Sequence, residues 1–212
     1  MSSLREALGN SSLMATARRL AAVLSKGGIP HLIVGGLAVQ EHGYVRATVD
    51  VDIVVPDTDI AKEYLSIRGF QEVLGTQRMM RDRATRVDVD LLPGGKSVGP
   101  SVVLLSMPDV VNDTPNFIDI AGLITQKLSS YIKNPLHRAK DLGDVVGLIE
   151  HAGLSLNLPV DAKVKAKYQE VWQGLRDSAF LRSPAKNPEK DLGQLAGNDA
   201  VGEKFLSFNE DP

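Results

Sequence analysis

The stretch that decides the fold is HLIVGGLAVQEHGYVRATVDVDIVV, residues 31–55. Its apolar beginning predicts a short buried strand that ends at Gly35-Gly36, and LAVQEHG then predicts a short helix. The closing TVDVDIVV predicts a second strand, which is apolar apart from Asp50 and Asp52. The two carboxylates inside a strand of this kind require an explanation.

Asp50 and Asp52 alternate with valine and isoleucine, so they point to one face of their strand. VDVDL, residues 87–91, repeats the pattern with Asp88 and Asp90. If the two strands are neighbours, three or four carboxylates converge, and their repulsion requires protons or a cation to offset it. Mg²⁺ prefers oxygen ligands of this type. A single Asp-x-Asp is more often a solvated outer face, but two such pairs favour a site.

Gly35 and Gly36 follow a buried strand and open a helix. This arrangement lets backbone N–H groups approach a phosphate. Turns also use Gly-Gly freely, so the pair alone is weak support. The sequence GGLAVQ lacks the third glycine of a dinucleotide fingerprint, and no Gly-Lys-Ser/Thr completes a Walker loop.

The remaining patterns predict an α/β core followed by helices. The predicted core elements are helices at SSLMATARRLAAVLSK and DTDIAKEYLSIRGF and strands at QEVLG, QRMMRD, TRVDVDLL and VVLLS. Three helical patterns follow at IDIAGLITQKLSSYI, HRAKDLGDVVGLIEHAG and VDAKVKAKYQEVWQGLRD. We expect the core at residues 1–116, a helical region packed on it at 117–182, and a flexible tail rich in proline, glycine and charge at 183–212.

Composition restricts the class of protein. The chain has 212 residues and 43% hydrophobic content, which is enough for a core, and its net charge of −2 gives no overall basic field. It has no cysteine, which excludes disulfides, thiolate zinc sites and cysteine nucleophiles. No apolar stretch approaches the roughly 18 residues of a membrane span, and the N-terminus does not resemble a signal peptide. We expect a cytoplasmic protein that does not enter a membrane.

With these glycines and aspartates, the sequence resembles the nucleotidyltransferase superfamily of DNA polymerase β. The pattern of that superfamily is hydrophobic-Gly-Gly/Ser, a spacer, Asp-x-Asp/Glu and a later acidic residue. It is most similar to AbiEii-type toxins and related bacterial nucleotidyltransferases, with GGLAV and GYVRATVDVD matching Gly-Gly-x-Ala and Gly-x-x-Arg-x-Thr-x-Asp-x-Asp. That subgroup also carries a helical lysine and a Lys-Asp-x-x-Asp, which Lys127, Asp141 and Asp144 match. The resemblance covers about residues 15–152.

The resemblance implies a polymerase-β-like mixed sheet flanked by helices and a C-terminal helical region. It also implies transfer of a nucleoside monophosphate from a nucleoside triphosphate to an acceptor. Asp50, Asp52 and one of Asp88 or Asp90 would hold two Mg²⁺ or Mn²⁺ ions. Asp90 is the first choice for the third metal ligand, and Asp88 would be a general base or a spare ligand.

The resemblance further implies nucleotide binding by a set of residues outside the carboxylates. Lys127 would meet the γ-phosphate. Arg46 would contact the triphosphate or the acceptor, or would instead pair with a carboxylate while Thr48 bonds to backbone. Asp141 would hydrogen-bond toward the site, or would belong to a solvated acidic face. The full set is Gly35, Gly36, Arg46, Thr48, Lys127 and Asp141.

The acceptor is left open among RNA such as tRNA, a protein and a small molecule such as an aminoglycoside. A toxin of a toxin–antitoxin pair would have an antitoxin protein as its partner. The alternatives are a catalytically inactive nucleotide-binding or nucleic-acid-binding module and a structural Ca²⁺ site. A local basic cluster, formed by Arg78, Arg81, Arg83 and Arg86, is either a solvated hairpin or a grip on a polyanionic acceptor.

Overall fold

The computed structural model describes residues 10–96 and 103–182, which form a five-stranded mixed sheet and six helices. The helices are α1 (Asn10–Lys26), α2 (Gly35–Glu41), α3 (Thr58–Ser66), α4 (Ile120–Lys133), α5 (Ala139–Ala152) and α6 (Ala162–Arg182). The strands are β1 (Leu32–Val34), β2 (Asp50–Val55), β3 (Phe70–Glu72), β4 (Met79–Asp82) and β5 (Asp88–Pro93). The expected mixed α/β class, with a helical region after the sheet, is confirmed.

The strand order in the sheet is β1-β2-β5-β4-β3. The central strands β2 and β5 run parallel, and every other pair is antiparallel. In the parallel pair Asp50 lies opposite Asp88, and Asp52 lies opposite Asp90. The two acidic strands are therefore neighbours, and their four carboxylates share one face of the sheet.

The same alternation divides β2 between two hydrophobic cores. Val51 and Ile53 point away from the carboxylates and pack with Leu20 of α1. Val54 follows Asp50 and Asp52 on the other face and packs with helices α4 to α6. The carboxylates thus lie at the start of a strand face whose end is covered by helices, which explains how acidic residues fit into a core strand.

Side-chain caps fix where two of the helices begin. The Asp57 side chain accepts hydrogen bonds from two backbone N–H groups in the first turn of α3. The Asp119 side chain accepts one from Gly122 at the start of α4. Such caps satisfy N–H groups that have no partner inside the helix. Lys127 lies about two turns after the start of α4.

The helical region shares its core with the sheet. Leu123 and Leu128 of α4 and Tyr168 of α6 belong to the same buried cluster as Val34 and Val54. The chain divides into two compact units, residues 1–176 and 177–212, and the described part of the second is residues 177–182 of α6. The expected tail lies outside the described residues. In the part of the chain that the structure describes, no helix is long and apolar enough to span a bilayer.

The strand predicted at VVLLS is wrong for its described residues, 103–106, which form no strand. Leu105 instead exchanges backbone hydrogen bonds with Gly95 and Lys96, just beyond the end of β5. The reason is that β5 already has a partner on each side, so its ladder offers no free edge for another strand.

Candidate active site

Asp52 lies on the acidic face of β2, directly opposite Asp90 of β5. Burial, followed by the negative charge of Asp50, raises the pKa of Asp52 from 3.8 to about 6, and Asp90 adds to the effect. The positive charge of Lys127 and a hydrogen bond from the Gly36 N–H oppose the rise. The charges of Asp50 and Asp90 therefore both act on Asp52, and the pairing of β2 with β5 is what brings Asp90 close to it.

The two carboxylates of β5 differ in how firmly they are bound. Arg81 grips Asp88 with Nε 2.5 Å from Oδ1 and Nη2 2.9 Å from Oδ2. Asp90 has only Arg78, whose Nε lies 3.5 Å from Oδ1, and that oxygen accepts no hydrogen bond from any described residue. Burial also raises the pKa of Asp90. Of the two, Asp90 has an oxygen free for a ligand.

A cavity of about 180 Å³ adjoins this face. Its lining includes the carboxylates of Asp52 and Asp90 and three cationic side chains, Arg78, Lys127 and Arg138. Acidic and basic groups that line one cavity suit a ligand made of a cation and an anion together. The expected residues Gly35 and Asp141 line it as well.

Gly35 and Gly36 are required by close contacts. Gly35 has a φ of +65°, and a Cβ there would lie 1.7 Å from the Asp52 carboxylate oxygen Oδ2. A Cβ at Gly36 would lie 2.4 Å from the Thr48 hydroxyl and 3.0 Å from an Arg46 nitrogen. The two glycines thus make room for Asp52 and for the loop that leads into β2. Phosphate binding by their N–H groups stays a prediction.

Asp144 joins two cations in a buried network. Its Oδ2 lies 2.8 Å from Lys127 Nζ, and its Oδ1 lies 2.6 Å from Arg46 Nε. Lys127 Nζ also donates to Asp141 Oδ1 at 2.9 Å. Of the two interpretations of Arg46, the structure shows the pairing with a carboxylate. Asp141 is likewise a buried partner of Lys127 rather than part of a solvated face.

Three features of the site could not be predicted from the sequence. Asp144 is 2% exposed and pairs with both Lys127 and Arg46. Arg78 and Arg138 line the cavity. The sequence leaves Thr48 between nucleotide binding and a bond to backbone, whereas its hydroxyl donates to Asp50 Oδ1 at 3.2 Å. The one available signal was the three-residue spacing within KDLGD, which places both aspartates on one side of a helix.

The carboxylates of the site are candidate ligands for a divalent cation. Within the described residues, no three His, Asp or Glu side chains are already arranged to hold an ion. The donor set nevertheless fits a hard cation, because it consists of carboxylate oxygens, and burial together with the charge of Asp50 raises the pKa of both Asp52 and Asp90. The unpartnered Oδ1 of Asp90 supplies an oxygen that nothing else in the described residues uses.

Eight chains of solved structures match this chain, among them the following three. The solution structure of the antibiotic-resistance factor ANT(2'')-Ia is 10% identical, with a TM-score of 0.47, and the match covers 82% of this chain and 96% of that one. The crystal structure of ANT(2'')-Ia in complex with adenylyl-2''-tobramycin is 11% identical, with a TM-score of 0.47, covering 77% and 98%.

The third is an antigenic nucleotidyltransferase-like protein from Paracoccidioides brasiliensis, 17% identical with a TM-score of 0.46, covering 81% of this chain and 89% of that one. No protein-family model matches the chain, and no curated protein matches it. Likeness at this level assigns no activity, and the AbiEii-type subgroup stays a prediction.

Proposed function

We propose that this protein transfers a nucleoside monophosphate from a nucleoside triphosphate to an acceptor, with Asp50, Asp52 and Asp90 holding Mg²⁺ or Mn²⁺. The observation that carries the proposal is the charged cavity beside the parallel strands, where Asp52 and Asp90 lie near Lys127. Burial, followed by repulsion from Asp50, raises the pKa of Asp52; a divalent cation would offset both effects, and a triphosphate would bring the matching negative charge.

When bound, the cation would lower the pKa of the acceptor hydroxyl and neutralise charge on the triphosphate. Lys127 would bind phosphate oxygens from the helical side, and its ion pairs with Asp141 and Asp144 hold its side chain in place. The backbone of Gly35 lines the same cavity and would support the phosphates. Positioning and charge stabilisation would carry such a reaction without a covalent intermediate.

An RNA acceptor is favoured over an aminoglycoside by the β4–β5 hairpin. Arg83 and Arg86 are exposed in its turn, and their side chains have no ion-pair or hydrogen-bond partner within the described residues. Arg81, beside them, is already paired with Asp88. The guanidinium groups of Arg83 and Arg86 would attract the phosphates of RNA and repel a polycationic drug. If the chain is a toxin, its expression should arrest growth, and an antitoxin encoded beside it should restore growth.

The test is a label-transfer assay with each α-³²P nucleoside triphosphate, Mg²⁺ or Mn²⁺, and a cell extract that contains RNA, protein and metabolites. Label should enter one fraction with the wild type and be lost with the Asp50→Ala, Asp52→Ala double variant. The labelled fraction identifies the class of acceptor, and label in an added aminoglycoside would reject the RNA proposal alone.

Thermal melting distinguishes a missing acceptor from an inactive site. The melting temperature of the wild type should rise with nucleoside triphosphate plus cation, and that of the double variant should not. A rise without label in any fraction is what a binding module that does not catalyse transfer would give. The absence of both label and any rise contradicts the proposed function.

A further inference from the structure

Two arginines pair with the two aspartates of β5, but with different geometry. Arg81 binds Asp88 through two short contacts, 2.5 and 2.9 Å. Arg78 approaches Asp90 only to 3.5 Å, beyond the usual hydrogen-bond range of about 2.7 to 3.2 Å. Asp88 is thus firmly occupied, whereas Arg78 neutralises Asp90 without satisfying its oxygen Oδ1.

The position of Arg78 lets its side chain move while its backbone stays fixed. Its carbonyl oxygen accepts a hydrogen bond from the Leu91 N–H at 3.1 Å, which ties this residue to β5. Its side chain is 39% exposed and lines the cavity together with Lys127 and Arg138. An arginine does not lose its proton in a protein, so its charge, 3.5 Å from Asp90 Oδ1, repels a cation that binds this oxygen unless the Arg78 side chain turns away.

We infer that Arg78 is an exchangeable counter-ion, which neutralises Asp90 in the absence of a divalent cation and turns to a phosphate of the nucleotide when a divalent cation binds Asp90. This inference rests on the proposed function. A divalent cation bound without nucleotide would repel the Arg78 guanidinium. The negative charge of the triphosphate would neutralise that excess of positive charge. The planar guanidinium fits two phosphate oxygens at once, which the ammonium of a lysine cannot do.

The test uses Arg78→Gln and two binding measurements that need no turnover. Titration with Mn²⁺ alone, followed by electron paramagnetic resonance of the free ion, should give about two- to fivefold tighter binding than wild type, because a partly exposed competing charge is gone. A nucleoside triphosphate analogue that resists cleavage between its α- and β-phosphates should bind about tenfold more weakly at saturating Mn²⁺. A purely structural role for Arg78 would weaken both.

Two further variants serve as controls. Arg81→Gln removes the same charge from the same hairpin, and Mn²⁺ affinity should change less because Asp88 does not line the cavity. Arg78→Lys keeps the charge, so its Mn²⁺ affinity should stay near that of the wild type while the analogue binds more weakly. Circular dichroism melting confirms that each variant is folded.

Each other outcome overturns the inference. If Arg81→Gln tightens Mn²⁺ binding as much as Arg78→Gln does, the effect is one of general charge and Arg78 has no special place. If the wild type binds Mn²⁺ and Arg78→Gln binds it equally or more weakly, the exchange is rejected while the proposed function stands. If neither protein binds Mn²⁺, the inference and the proposed function fail together.

Discussion

Gly28 and Gly35 have nearly the same backbone conformation, with φ of +63° and +65°, but different surroundings. A Cβ at Gly28 would meet nothing within 4 Å, whereas one at Gly35 would lie 1.7 Å from Asp52 Oδ2. We expect Gly28→Ala to lower the free energy of unfolding by about 1 to 2 kcal/mol through backbone strain alone. Gly35→Ala should cost distinctly more, because Asp52 must also move. Urea unfolding of both variants at one pH measures the difference.

If the two substitutions lower the free energy of unfolding equally, the Asp52 side chain can move aside without cost. That result would contradict a fixed position of Asp52 in the site. Gly35→Ala should also impair activity more than Gly28→Ala does. Gly28→Ala should keep nucleotidyl transfer, and Gly35→Ala should lose it even where the protein remains folded, since the displaced carboxylate is the one that faces both the glycine and the cavity.

The raised pKa of Asp52 predicts how stability depends on pH. Because its pKa rises from 3.8 to about 6, the folded protein binds more protons than the unfolded chain between these values. The contribution to stability is complete below pH 3.8 and is lost as pH rises through about 6, a loss of up to about 3 kcal/mol. Without divalent cation, Asp52→Asn should therefore be more stable than wild type at pH 8 and similar near pH 4, as measured by urea unfolding across that range.

Asp88→Asn is the matched control, because it removes a carboxylate from the same face that Arg81 already neutralises. It should not stabilise the protein at pH 8. Excess Mn²⁺ should narrow the gap between wild type and Asp52→Asn, since only the wild type keeps the full set of ligands. If the difference in unfolding free energy between wild type and Asp52→Asn does not change with pH, ionisation of Asp52 does not destabilise the protein.

The positions of individual site residues could be predicted from the sequence only where they depend on local geometry, and not where they depend on contacts between distant parts of the chain. The alternation of aspartate and valine sufficed to place Asp50 and Asp52 on one face, because a strand fixes that geometry locally. Arg46 and Asp144 are 98 residues apart, and their pairing depends on where α5 packs. Lys127 could be assigned to a helix, but its two carboxylate partners could not be predicted from its own element.

At the scale of elements, Asp144 anchors α5 to both α4 and the loop before β2. Its carboxylate is almost fully buried and contacts Lys127 and Arg46. Asp144→Asn removes the charge that both cations share, and we expect a loss of about 3 kcal/mol in unfolding free energy, as for other buried pairs broken from one side. Urea unfolding of the variant against the wild type measures this loss.

Glu170 offers the comparison, because it pairs with Lys167 at 2.7 Å on α6 but is 68% exposed. Glu170→Gln should cost less than about 0.5 kcal/mol. If Asp144→Asn were as mild, Lys127 and Arg46 would have to find water or other partners, and the helices would not depend on this network for their position.

The elements themselves were predictable to the extent that local pattern determines them. The acidic strands β2 and β5 and helices α4 and α5 follow from periodicity and caps. The segment VVLLS is as apolar as a strand, but strand formation requires an edge to pair with. The sheet order leaves β5 enclosed between β2 and β4, and nothing within residues 102–106 encodes that order.

At the scale of the whole molecule, the sheet and the helical region depend on each other. One face of the sheet, including Val34 and Val54, is buried against Leu123, Leu128 and Tyr168 from beyond residue 116. We therefore expect a fragment of residues 1–116 to unfold without a cooperative transition in urea and to bind a hydrophobic dye. Apolar surface of that extent cannot remain exposed on a stable fold.

Mixing this fragment with residues 117–212 should restore both a cooperative transition and Mn²⁺ binding. The carboxylates come from the first piece, whereas Lys127 and the helices that cover Val54 come from the second. A fragment of residues 1–116 that folds cooperatively alone would make the helical region an addition to a complete domain. Recovered folding without Mn²⁺ binding would separate the core from the site, since the carboxylates would then need more than their strands to form a binding geometry.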